Sequence, residues 1–176
     1  MPTSNLACWP SILNLVWKVQ PHRILDVGPG WGKAGILLRE YVGCPPIERV
    51  DAVEAWEPYV TDRMRAIYDE VFVMDVADMT DDELASYDMV LMVDVLEHME
   101  RDDAIKLLER IPGRIVICTP RDYFQNPEWE EIPPEAHRSV WTYNDFDGRR
   151  EAIDEPALNN LGAVLLRLGP LTPLPG

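Results

Sequence analysis

Cysteine is scarce and poorly placed for cross-linking: Cys8, Cys44 and Cys118 are the only three, and no C-x-x-C pair occurs. That argues against a disulfide framework and against a cysteine-ligated zinc site, and it fits a reducing, cytoplasmic setting. Long apolar runs are missing too. The stretch from Leu6 to Val19 has no basic leader and is broken by Pro10 and Asn14, and no run reaches the roughly 18 apolar residues of a membrane span, so no membrane partner is expected. Basic residues are in short supply, with 16 Lys and Arg against 31 Asp and Glu and a net charge of −15. Such a field repels phosphate backbones and anionic headgroups, and the scattered Lys and Arg form no arm, so nucleic acid is a poor substrate. The spacing of acids, histidines and cysteines gives no metal cluster, and no metal is expected.

What is present is enough for one well-filled domain. In 176 residues, 47% are apolar and 27% charged, which predicts a single folded unit over residues 1–169 and a proline-rich tail over 170–176. From Arg23 to Cys118, short apolar or β-branched runs alternate with amphipathic stretches, the pattern of a parallel sheet with helices on both faces. Strands are expected at Arg23 to Val27, Arg49 to Val53, Val71 to Met74, Tyr87 to Val93 and Arg114 to Thr119. Helices are expected at Gly32 to Tyr41, Pro58 to Tyr68 and Arg101 to Arg110. Before the first strand, residues 1–22 hold a helix, Trp9 to Val19, placed to lie on the sheet or to cover a ligand. After the last parallel strand, residues 120–147 are irregular and rich in proline, aromatics and acids, a composition that suits a lid on the acceptor side. Arg149 to Asp154 and Gly162 to Leu168 then read as an antiparallel hairpin turning near Pro156 to Asn160.

In an open parallel sheet ligands bind at the carboxyl ends of the strands, where the winding reverses. The first strand ends in Asp26-Val27-Gly28-Pro29-Gly30-Trp31-Gly32, glycines that permit a tight turn and close approach of a ligand to the backbone. A dinucleotide loop, G-x-G-x-x-G/A counted from Gly28, would require a small residue where Lys33 stands. Asp26 would repel a pyrophosphate and attract an ammonium or sulfonium. Glu54, at the end of the second strand, can accept from both hydroxyls of a ribose, and Asp75 with Val76, after the third, can accept from and donate to an adenine.

Taken together, Ile24 to Gly32, Val53-Glu54-Ala55, Met74-Asp75-Val76-Ala77 and Tyr87 to His98, with its Asp94-Val95-Leu96-Glu97-His98 ending, resemble the motifs of the class I S-adenosylmethionine-dependent methyltransferases, small-molecule enzymes in particular. The resemblance runs from the first strand to the hairpin. It implies a Rossmann-like α/β fold, a seven-stranded mostly parallel sheet closed by the C-terminal antiparallel hairpin, and S-adenosylmethionine as cofactor. It further implies that Asp26 with Gly28, Pro29, Gly30 and Gly32 holds the methionine portion and Glu54 and Ala55 the ribose side. Trp56, Asp75 and Val76 would then hold the adenine, and Asp94 would lie beside the reactive methyl. Asn126-Pro127-Glu128-Trp129 faintly resembles the signature of amino-methylating nucleic-acid enzymes, but it follows the wrong strand and has Glu128 where that signature has proline.

A sulfonium methyl is already activated, so alignment and exclusion of water are the main tasks, and a base is needed only for an oxygen or a protonated nitrogen. His98 and His137 are the candidate bases; His22, before the first strand, reads as structural. Tyr123, Phe124, Trp129 and Trp141 beside Glu128, Glu130, Glu131 and Glu135 suit a small polar or cationic acceptor. The competing expectation is a noncatalytic binding or scaffold protein on the same fold.

Overall fold

The computed structural model describes residues 4, 6–42, 47–120, 135–146, 150–151 and 163–168. Helix α1 (Trp9–Val19) precedes strand β1 (Arg23–Val27), and the chain then alternates through α2 (Lys33–Tyr41), β2 (Arg49–Glu54), α3 (Asp62–Ile67), β3 (Val71–Val73), α4 (Asp81–Ala85), β4 (Met89–Val93), α5 (Arg101–Arg110) and β5 (Arg114–Pro120). The five strands form a parallel sheet in the order β3-β2-β1-β4-β5. The winding reverses between β1 and β4, whose register pairs Asp26 with Leu91 and Val27 with Met92. The carboxyl ends of these two strands border the crevice in which such folds bind ligands.

Strand residues alternate between two apolar layers because successive side chains point to opposite faces. Ile24, Val50, Ala52, Met89, Leu91 and Val116 join the layer that contains α1 and α2, whereas Leu25, Val53, Val90, Met92, Ile115 and Ile117 join the one that contains α5 and Trp141. Burial on both faces is why these strands read as continuous apolar runs. Helix α1 sinks Trp9, Ile12, Leu15 and Val16 into the first layer, so it lies against the sheet. Helix α5 buries Ala104, Leu107 and Leu108, and its acids Asp102 and Asp103 and its base Arg110 stand at the ends that the helix dipole favours.

Two expectations need correction, and one helix had not been expected. The stretch from Pro58 to Tyr68 is not one helix: a single turn, Glu57–Tyr59, ends in extended Val60, and Thr61 starts α3 afresh, its hydroxyl accepting from the Met64 amide at 3.2 Å. Strand β4 begins at Met89, not Tyr87. The Asp88 carboxylate accepts from the amides of His22 and Arg23, both at 2.8 Å, and clamps the strand entry as a loop. Helix α4 was unforeseen, although Thr80 and Glu83 form a reciprocal capping box at its start. The expected turn at Pro156 to Asn160 and the tail 170–176 lie outside the described residues, as does Cys44; Cys8 and Cys118 are free, buried thiols. No helix among the described residues is long and apolar enough to cross a membrane.

Candidate functional site

The turn after β1 has the backbone that its glycines predict: φ is +63° at Gly28, +54° at Gly30 and +82° at Gly32. A Cβ on Gly28 would stand 2.9 Å from the Val95 side chain, and one on Gly32 would stand 2.8 Å from Ile67. Side chains are therefore disfavoured here by conformation at all three glycines, and at Gly28 also by the Val95 side chain. Gly28 is exposed, Pro29, Gly30 and Gly32 are buried, and the Gly28 amide donates to the Val53 carbonyl at 2.9 Å, tying the turn to β2.

Asp26 lies beneath this turn, 2% exposed, and accepts a 2.5 Å hydrogen bond from the Tyr68 hydroxyl, which in turn accepts from the Gly35 amide. Burial raises its pKa to about 7 against the lowering effect of Tyr68, with the charge of Glu54 adding to the rise. The direct hydrogen-bond contact of Asp26 is Tyr68. Glu54 is buried at the end of β2, with Oε1 held by the Trp56 amide at 2.8 Å. Burial raises its pKa, the Trp56 amide lowers it, and Glu135 raises it further. Ala55 is exposed and Trp56 half-buried beside it. Asp75 is exposed after β3, its Oδ1 accepting from Ala77 N at 2.9 Å to cap a short turn in which Val76 is buried.

Asp94 follows β4 with φ +55°, rare for a residue with a side chain, and its amide donates to the Cys118 carbonyl at 2.7 Å. Burial raises its carboxyl to about 6, and Lys33 opposes the rise. The next turn, Leu96–His98, places Glu97 and His98 at the same end of the sheet. Glu97 is 2% exposed, with Oε2 accepting from the Thr119 hydroxyl at 2.9 Å, and burial followed by repulsion from Asp94 raises it to about 8.

His137 arrives from far along the chain because residues 135–146 are fastened to this turn. The Glu97 carbonyl accepts from the amides of Arg138 and Ser139, and the Leu96 carbonyl accepts from the Ser139 hydroxyl at 2.9 Å and the Trp141 indole at 3.2 Å. The rings of His98 and His137 consequently meet edge to face, 4.9 Å between centroids. His98 Nδ1 lies 3.3 Å from the Ala136 carbonyl. Burial lowers the pKa of both, and His137 lowers that of His98 further. The expected lid residues Tyr123, Phe124 and Trp129, Glu128, Glu130 and Glu131, and the motif at Asn126, lie outside the described residues. Trp141 is core, 1% exposed beneath the Arg101 guanidinium at 4.6 Å. His22 is an exposed partner of Glu48.

Sequence reasoning missed two contributors. Tyr59, beyond β2, donates to Glu135 at 2.8 Å. The acid before His98, Glu97, joins His98 and His137 in a cluster whose nitrogen and oxygen ligand atoms lie within 4.8 Å of one another.

No family model matches the sequence, and no curated protein is similar to it. Solved structures are similar. A protein described as an O-methyltransferase from Nostoc punctiforme superposes with TM-score 0.60 at 14% identity over 90% of this chain and 54% of its own. The N-terminal domain of EvdMO1, with S-adenosylhomocysteine bound, matches with TM-score 0.50 at 18% identity, 92% of this chain and 65% of its own.

The fold is that of the class I methyltransferases.

The chain spans about half the length of the Nostoc protein. The scaffold extends beyond methyl transfer: a Rhodobacter sphaeroides protein described as a zinc-dependent alcohol dehydrogenase matches with TM-score 0.59 at 8% identity, over 86% of this chain and 85% of its own. At such identities the likeness speaks of fold, and function must be argued from the site.

Proposed function

We propose that the protein is a cytoplasmic S-adenosylmethionine-dependent methyltransferase that acts on a small polar or cationic organic acceptor by in-line transfer. The observation that carries this reading is the arrangement around the β1–α2 turn. Three glycines of positive φ sit above desolvated Asp26, with Glu54 closing β2 and Asp94 closing β4. Lys33 opens α2 where a dinucleotide loop requires a small residue, and its ammonium donates to the Ser4 carbonyl at 2.8 Å.

These residues fit the cofactor, since carboxylates favour an ammonium and a sulfonium over a pyrophosphate. S-adenosylmethionine, when bound, supplies a methyl carbon activated by its positive sulfur. Gly28, Pro29, Gly30 and Gly32 bring backbone to its methionine portion, over the field of Asp26. Glu54 accepts from the ribose. Ala55 would stand with Glu54 on the ribose side, Trp56, Asp75 and Val76 would flank the adenine, and Asp94 would flank the reacting centre. His98 and His137, which burial biases toward the neutral form, can take a proton from an acceptor placed against them. Glu135, hydrogen-bonded to Tyr59 beside Glu54, favours a cationic acceptor.

Residues 1–169 serve as one domain in this reading, with 120–147 forming the acceptor side. The sheet is completed to seven strands by β6 (Arg150–Glu151) and β7 (Ala163–Leu168). An antiparallel register of β7 on β5, from Ile115 with Leu168 to Pro120 with Ala163, supports that completion.

The test is a calorimetric titration of site variants. Removing a buried carboxylate that accepts from a ligand hydroxyl costs about 1.5–3 kcal/mol, so Glu54→Ala is expected to lose roughly ten- to a hundredfold in S-adenosylmethionine affinity. Asp26→Ala is expected to weaken binding as well. Undiminished affinity in both variants overturns the assignment of the site.

A further inference from the structure

We propose that Glu97, His98 and His137 form a binding site for one divalent transition-metal ion. Their three ligand atoms already lie within 4.8 Å of one another. Bonds of about 2.0–2.2 Å to nitrogen and oxygen hold neighbouring ligands roughly 3–3.5 Å apart, so side-chain movements of about 1 Å complete the shell. One imidazole and the carboxylate stand on the rigid turn after β4, and the other imidazole is brought to them by the backbone bonds from Arg138 and Ser139 to the Glu97 carbonyl.

The supporting contacts are those a metal centre uses. His98 can donate from Nδ1 to the Ala136 carbonyl, the tautomer that leaves the Nε2 lone pair available to a metal. The Thr119 hydroxyl donates to Glu97 Oε2 and fixes the carboxylate's plane, as ligating carboxylates are commonly fixed. Both imidazoles are biased by burial toward the neutral, ligating form. Glu97 also feels the charges of Asp94 and Glu135, and a cation at the cluster offsets that repulsion. Two nitrogens and one oxygen select manganese, iron, cobalt or zinc over the all-oxygen ions calcium and magnesium. Three protein ligands leave at least one position open to solvent or to a substrate oxygen.

The site itself does not depend on the methyltransferase reading, but one consequence does: with the ion bound, the two imidazoles are ligands and not bases. The chain's three histidines make the test direct. Manganese(II) is titrated into the protein without S-adenosylmethionine while the imidazole ring protons are followed by NMR, with His22 assigned through His22→Asn. At substoichiometric manganese the His98 and His137 signals are expected to broaden while His22 stays sharp. Calorimetry with cobalt(II) is expected to give one site per chain and at least a tenfold loss of affinity in His137→Ala, a substitution in a loop outside the helices and strands. No broadening, equal broadening of all three histidines, or undiminished cobalt affinity in a folded His137→Ala would overturn the site. Because the cofactor is omitted, a negative result here leaves the methyltransferase reading standing, and a failed cofactor titration leaves the metal site standing.

Discussion

At Asp26 a carboxylate is held 2% exposed with the Tyr68 hydroxyl as its hydrogen-bond donor, and burial raises its pKa to about 7. In an unfolded chain it titrates near 3.9. Between about pH 4 and pH 7 the unfolded state therefore releases a proton that the native state keeps. The contribution of Asp26 to stability is fully present below that window, falls as pH rises through it and is level above about 7. Asp26→Asn removes this slope. Urea unfolding of the two proteins should show the stability difference shifting in the variant's favour from pH 4 to pH 7 and constant beyond; a difference that does not move with pH contradicts the burial argument. Glu54 shares the same tension between desolvation and a backbone donor, and it differs by standing at a strand end where a ligand hydroxyl can take the place of water.

Among the elements, the chain segment at 135–146 matters most to the site, because it carries His137 and Glu135 to the end of β4. Its fastening is local and testable. The buried Ser139 hydroxyl donates to the Leu96 carbonyl at 2.9 Å and accepts from the Trp141 indole at 2.8 Å. Ser139→Ala is expected to cost about 1–3 kcal/mol and to speed amide exchange at Arg138 and position 139 well above that of β4. Unchanged exchange there would show that the backbone bonds to Glu97 suffice alone. The same segment marks where the sequence stops being legible. Strands β1, β2, β4 and β5 and helices α1, α2 and α5 are written in periodicity, and β1, α1 and α5 begin and end as expected. The glycine turn is legible because only glycine tolerates its φ values. The meeting of His98 and His137 is not, since it depends on carbonyls of one turn accepting from amides far along the chain, and neither periodicity nor spacing encodes that. Thr61 and Thr80 were legible in principle as helix caps, and short helices of six and five residues left little periodicity to accompany them.

Over the whole molecule, a parallel sheet in the order β3-β2-β1-β4-β5 gathers Asp26, Glu54, Asp94, Glu97 and Thr119 at the carboxyl ends of four strands. The net charge of −15 opposes polyanionic ligands at long range. A scaffold shared by proteins described as methyltransferases and as a dehydrogenase makes the choice of cofactor the decisive question. The most direct measurement is a calorimetric titration of the purified protein with S-adenosylmethionine and, separately, with NAD. The account predicts saturable one-to-one binding of S-adenosylmethionine and none of NAD; saturable binding of NAD, or of neither compound, would contradict it.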